Sequence, residues 1–108
     1  MRIVLVEPQH PGNIGAVARA MANFGLKDLA MVEGCDLADE SYARSKSGRP
    51  ILENSKRFET IEEAIAECDI TIGTSGIRPE GDKRWFRAPL DVKKINEIIA
   101  ERENPALL

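Results

Sequence analysis

Asn13, Gly15 and Arg19 interrupt a stretch that is otherwise apolar at helical spacing. Ile14, Val17, Ala18 and Met21 fall at i, i+3, i+4 and i+7, the pattern of one buried helix face. With about 100° per residue and Ile14 set at zero, the apolar set stays within about 60° while Arg19 lies about 140° away. Arg19 therefore points off the buried face. Gly15, one turn earlier, leaves the backbone bare beside the guanidinium, so that another chain could come close. Asn13 sits at the start of the helix, where free backbone N–H groups favour anions such as phosphate. The three together make a small polar platform suited to a phosphate-bearing ligand. They fit equally well a helix cap followed by a solvated surface arginine.

A second candidate is Gly73-Thr74-Ser75-Gly76, which follows a short apolar run as ligand loops follow strands. It lacks the GxGxxG and GxxxxGK[ST] patterns, so nucleotide-phosphate binding gains no specific support and a plain βα turn explains it as well. Ser75 could serve a hydrolase only with a histidine partner, and the chain has one histidine, His10. Two basic clusters complete the inventory. Arg44, Lys46 and Arg49 lie in a polar stretch read as loop, and Arg78, Lys83, Arg84 and Arg87 lie in another. Trp85-Phe86 stands between Arg84 and Arg87, where aromatic rings could stack on unpaired RNA bases. Solvated loop charge and rings tucked into the core are the plain alternatives.

These residues need elements to hold them. Ile3 to Val6 is a continuous apolar run, as in a strand covered on both faces. The turn cluster Gln9-His10-Pro11-Gly12-Asn13 follows, a helix is expected from near Ile14, and Phe24-Gly25 ends it with glycine at C′. Leu29 to Val32 reads as a second strand, and residues 36–50 read as polar, with Ser45 to Pro50 as loop. Arg57 to Glu59 suits a short strand. Thr60-Ile61-Glu62-Glu63 is a capping box opening a helix with Ile61, Ala64, Ile65 and Cys68 on its apolar side. Ile70 to Ile72 is a further strand. Asp91 can cap a last helix, buried through Val92, Ile95, Ile98 and Ile99, and Ala106-Leu107-Leu108 begins another strand. Alternation of this kind implies right-handed βαβ units on a parallel sheet. The first strand is expected near the centre, with the loops Glu7–Gly15 and Gly73–Arg87 at one edge, where such sheets bind ligands.

Composition bounds the function. One hundred and eight residues suffice for one domain with a modest core. A net charge of −3 gives bulk electrostatics no role in binding nucleic acid, leaving only local clusters. No apolar run approaches the roughly 20 residues of a membrane span, and the N-terminal run is too short for a signal peptide. Cys35 and Cys68 form no CxxC, and with a single histidine a metal site lacks ligands. Reduced thiols and a cytoplasmic location are expected.

The segment Val4 to Met21 (Val-Leu-Val-Glu-Pro-Gln-His-Pro-Gly-Asn-Ile-Gly-Ala-Val-Ala-Arg-Ala-Met) resembles the first motif of the SpoU/TrmH branch of SPOUT RNA methyltransferases. Its core, Asn-x-Gly-x-x-x-Arg, is met by Asn13, Gly15 and Arg19. Phe24-Gly25-Leu26, Leu29 to Glu33, Ile51 to Asn54, Thr60 to Ala64 and Cys68 to Ser75 extend the likeness toward the TrmJ-like subgroup, over essentially the whole chain. The resemblance implies an α/β fold: a parallel Rossmann-like sheet with flanking helices, residues 1–108 being the N-terminal part of an α/β-knot methyltransferase domain whose knot segment is absent. It implies S-adenosylmethionine as cofactor, RNA and foremost tRNA as substrate, methylation of a ribose 2′-hydroxyl, and a homodimer in the full-length enzyme. By the same analogy Arg19 and Asn13 are catalytic, and Thr74, Ser75 and Gly76 contact the cofactor, with glycine at 76 where alanine is usual. Arg19, Arg78, Lys83, Arg84 and Arg87 would meet RNA. The family's Gly-x-Glu-x-x-Gly motif and the motif after it do not occur here, so the chain alone is expected to bind S-adenosylmethionine weakly and to be inactive. The competing class is a non-catalytic α/β RNA-binding or assembly module.

Overall fold

The computed structural model describes residues 1–73 and 105–108. The expectations for Thr74, Ser75, Gly76, Arg78, Lys83, Arg84, Trp85, Phe86, Arg87 and the helix from Asp91 lie outside the described residues.

Five strands form one parallel sheet: β1 (Arg2–Val6), β2 (Asp28–Val32), β3 (Lys56–Phe58), β4 (Ile70–Ile72) and β5 (Pro105–Leu107). Their order is β3-β2-β1-β5-β4, with β1 central as expected. Val4 pairs with Ala30 and Ile3 with both Leu29 and Leu107. Successive side chains alternate between faces, and both faces are covered. On one, Ile3, Leu5, Leu29 and Met31 pack under Ile14, Ala18 and Met21 of helix α1 (Pro11–Asn23), with Ile51 and Leu52. On the other, Val4, Ala30 and Val32 pack with Ala64 of helix α4 (Ile61–Ile65) and with Phe58. Two-sided burial is why β1 and β2 read as unbroken apolar runs rather than as alternation.

Helix α1 begins three residues before the expected Ile14. Pro11 takes the first helical position, where its fixed φ is already helical and its missing N–H costs nothing. His10 is the N-cap residue, extended at φ −118°, and its carbonyl accepts from the Asn13 amide at 3.0 Å. Asn13 is thus the third helical residue and not the cap. Gly25 at φ +73° closes the other end, as expected, and Leu26 donates its amide to the Met21 carbonyl at 2.9 Å.

The polar stretch read as loop is largely helical: α2 (Asp39–Ser45), a 3-10 turn at Lys46–Gly48, and α3 (Arg49–Glu53). The buried positions of α2 are Ser41 and Ser45, both at 0% exposure. Each hydroxyl is satisfied close by, Ser41 donating to the Pro11 carbonyl at 2.8 Å and Ser45 to the Tyr42 carbonyl at 2.8 Å. Once its hydroxyl is bonded, a serine fills space as a small residue, so apolar periodicity could not reveal this helix. Helix α4 is capped as expected, Thr60 Oγ1 accepting from the Glu63 amide at 3.2 Å, but it stops at Ile65 and Cys68 closes a turn after it.

Arg2 went unassigned in the sequence. It shares the β1 parity of Val4, so it enters the α4 side of the sheet, and it is 3% exposed. Its guanidinium donates to Asp28 Oδ2 at 3.0 Å and to the buried Ala64 carbonyl at 2.8 Å, and lies 5.6 Å from the Phe58 ring centre. One cation thereby joins β1, β2, β3 and α4. Arg2→Met should lower the unfolding free energy by about 2 kcal/mol, because the Ala64 carbonyl loses its partner in the interior whereas Asp28 can rehydrate. A denaturant midpoint measures this, and an unchanged midpoint would show that Arg2 is not a staple.

Candidate functional site

All strands are parallel, so the loops after β1, β2 and β4 emerge at one edge. The chain steps from β1 outward to β2 and β3, then crosses to β4 at the far side, leaving β5 between β1 and β4. The order reverses at β1, and in open parallel sheets that switch point is where ligands bind. The ends of β1 and β4 are two strand spacings apart there, roughly 10 Å. Gly73, just beyond β4, is exposed, and a Cβ added to it would meet nothing within 4 Å among the described residues.

The loops at this edge are braced. Both β1 and β2 end at a glutamate in the left-handed region, Glu7 at φ +50° and Glu33 at φ +53°. Each donates its amide sideways, Glu7 to the Val32 carbonyl at 2.8 Å and Glu33 to the Phe58 carbonyl at 3.1 Å. Gly34, at φ +84°, lies so close to Pro8 that a Cβ would fall 2.5 Å from the proline Cδ, and Cys35 donates its amide to the Pro8 carbonyl at 2.7 Å. Arg57 clamps the stack from β3, donating to the Glu33 carbonyl at 2.7 Å and the Cys35 carbonyl at 2.9 Å. Left-handed non-glycine residues are held only where their surroundings fix them, and they gather at working edges. Arg57 carries no motif signal.

Arg19 belongs to a different surface. It is exposed on α1 and lines a groove of about 530 Å³ between α1 and α2. Ala16, Ala20 and Ala43 line the groove alongside Arg19, Glu40, Arg44 and Lys46. The first basic cluster is therefore split. Arg44 and Lys46 join Arg19, whereas Arg49 pairs with Glu53 at 3.3 Å and stacks 5.1 Å from the Tyr42 ring centre. Asn13 is exposed but does not line the groove. It stands about 9 Å up the helix axis from Arg19 and about 120° around it. The expected catalytic pair is thus presented by one helix without converging on one point within this chain.

Gly15 has a sharper role than the expected bare backbone. A Cβ there would overlap the Ser41 carbonyl, so the chain that approaches is α2 of the same molecule. Gly48 repeats the device from the other side, since its Cβ would overlap the Ala18 carbonyl and fall 2.7 Å from the Arg19 amide nitrogen. The backbone that carries Arg19 is therefore pinned by α2 and by the 3-10 turn. Among the described residues no three His, Cys, Asp or Glu side chains gather as a metal site requires, and no described helix is long and apolar enough to cross a membrane.

The SpoU rRNA Methylase family matches residues 1–101. A Methanocaldococcus jannaschii protein named tRNA (cytidine-2'-O-)-methyltransferase TrmJ is 38% identical over 100 residues, covering 92% of this chain and 43% of that protein. A Pseudomonas aeruginosa protein named tRNA (cytidine/uridine/adenosine-2'-O-)-methyltransferase TrmJ is 41% identical over 76 residues, 69% of this chain and 30% of the relative. Among solved structures, TrmJ from Z. mobilis superposes with a TM-score of 0.80 at 30% identity, over 98% of this chain and 47% of that one. A probable methylase family protein from Haemophilus influenzae gives 0.83 at 27% identity, over 98% and 44%. The chain thus spans less than half the length of these relatives.

The clamp at the switch-point edge has a direct readout. In Arg57→Ala the Glu33 and Cys35 carbonyls lose their donor, and the Cys35 amide should exchange with solvent at least tenfold faster while amides in the middle of β2 keep their protection. Unchanged exchange at Cys35 would mean that the loops hold without the clamp.

Proposed function

The chain belongs to the SpoU rRNA methylase family, and from that premise we propose that it works in transferring a methyl group from S-adenosylmethionine to a ribose 2′-hydroxyl of RNA, with tRNA as the substrate class. The observation that carries this reading is the setting of Arg19. The motif Asn13-x-Gly15-x-x-x-Arg19 lies on α1, Gly15 is consumed in seating α2, and Arg19 is left exposed with no ion pair among the described residues. A guanidinium held on a fixed backbone and unpaired among the described residues is suited to an anionic substrate.

In such a transfer the ribose oxygen would take the methyl carbon as the carbon–sulfur electron pair stays on sulfur, and the hydroxyl proton would pass to water. S-adenosylmethionine, when bound, supplies the methyl group on a positively charged sulfur. The chain's own contribution is positioning, the main source of acceleration for a direct transfer. Arg19 orients the ribose–phosphate unit and favours the oxyanion that develops as the proton departs. Asn13, a turn and a half toward the sheet edge, guides the RNA along α1. Thr74, Ser75 and Gly76, next in sequence after Gly73, would hold the cofactor. Arg78, Lys83, Arg84 and Arg87 add phosphate contacts from the segment that follows. Residues 1–108 serve as one unit of the domain, the N-terminal part of a knotted methyltransferase that acts as a cytoplasmic homodimer, with no metal and no membrane partner.

The test is transfer of labelled methyl from S-adenosylmethionine to a tRNA transcript by the full-length enzyme, read as a 2′-O-methyl nucleoside after digestion. Arg19→Ala should lower the rate by roughly 10²-fold or more, the usual cost of removing a group that stabilises developing charge, and Arg19→Lys should recover part of it. Equal rates for Arg19→Ala and wild type would remove the role given to Arg19. Methyl recovered on a base would refute the ribose reading.

A further inference from the structure

Resting on that reading, we propose that the groove between α1 and α2 is a phosphate subsite for the RNA backbone, with Lys46 and Arg44 joining Arg19 as its ligands and Glu40 as its built-in competitor. The groove gathers three cations and one carboxylate over alanines. The cations come from α1, from the end of α2 and from the turn after it, and they share a wall only because Gly48 presses against Ala18 and Arg19.

Lys46 is the informative member. It sits at φ +48°, ψ −118°, a backbone state that side-chain-bearing residues rarely adopt. It is exposed and makes no ion pair among the described residues. Holding a non-glycine residue there costs on the order of 1–3 kcal/mol, a strain found where a side chain must be aimed. Glu40 marks what the groove accepts. Its carboxylate pairs with Arg44 at 3.1 Å and lies beside Gly12 in the first turn of α1, 2.7 Å from where a Cβ would stand. That pair is exposed, at 55% and 57%, so it is weak and open to exchange. An incoming backbone phosphodiester matches a carboxylate in charge and in free oxygens, so it can displace Glu40 and take Arg44 in a bidentate contact while also drawing on Arg19 and Lys46.

A second copy of the chain is the competing occupant. Symmetric pairing through this groove would set one net-positive patch against its like, so like charges disfavour it, whereas a polyanion suits three cations with a single weak counter-charge.

The experiment is binding of an unmodified tRNA transcript by the full-length enzyme as a function of salt, comparing wild type with Lys46→Gln and Glu40→Gln, the first one atom shorter and the second isosteric, both at exposed positions. Lys46→Gln should weaken binding several-fold and lower the slope of log affinity against log salt by about 0.7–0.9, the loss of one phosphate contact. Glu40→Gln should tighten binding by freeing Arg44. Wild-type binding with both variants unchanged in affinity and slope overturns the groove while leaving the proposed function standing. Absence of tRNA binding by the wild type overturns both. A change in oligomeric mass with Lys46→Gln, without a change in slope, overturns the groove in favour of self-association.

Discussion

The backbone contact between α1 and α2 is the constraint from which the rest of the candidate site follows. Gly15 and Gly48 let main chain meet main chain, and Ser41 and Ser45 fill the seam with small side chains whose hydroxyls are satisfied locally. At such separations one added carbon is felt in full, because packed backbone cannot swing aside as a side chain can. The result is a rigid shelf. Its inner side carries Ile14, Ala18 and Met21 into the sheet, and its outer side presents Arg19 beside Arg44 and Lys46.

The sheet supplies the second fixed frame. Burial on both faces and the Arg2 staple hold β1 at the centre, and α1 starts from its C-terminal end through a short braced loop. The switch-point edge and the α1–α2 groove are therefore tied through one helix, about 20 Å long at 1.5 Å per residue. A substrate spanning the edge and the groove would be read by two rigid surfaces with no domain movement between them.

Much of this was legible in the sequence. Unbroken apolar runs at Ile3–Val6 and Leu29–Val32, the 3.6-residue pattern from Ile14 and the Thr60 cap gave the parallel sheet, its central strand and the placing of α1 and α4. The motif residues were found by type and spacing. Helix α2 escaped because its buried face is serine, and hydropathy does not distinguish a serine that fills a seam from one in a loop. Gly15 is legible as a close approach, but spacing shows that a backbone is bare and not that α2 meets it. Arg2, Arg57 and Lys46 act through contacts of 22 to 62 residues' separation or through a backbone angle, and local pattern carries neither.

The fixed setting of Arg19 turns on whether Gly15 is seated against α2, and the sign of one stability change decides it. Alanine in a helix interior is favoured over glycine by about 1 kcal/mol on propensity alone. Overpacking a tight contact costs about 1–3 kcal/mol, and backbone that cannot yield puts Gly15 at the upper end of that range. The direct measurement is therefore the denaturant midpoint of Gly15→Ala. The close approach of α1 and α2 predicts a clear fall, with weakened protection of the amides of α2. A midpoint equal to or above that of the wild type would mean that α2 does not rest on Gly15, and the fixed setting of Arg19 would go with it.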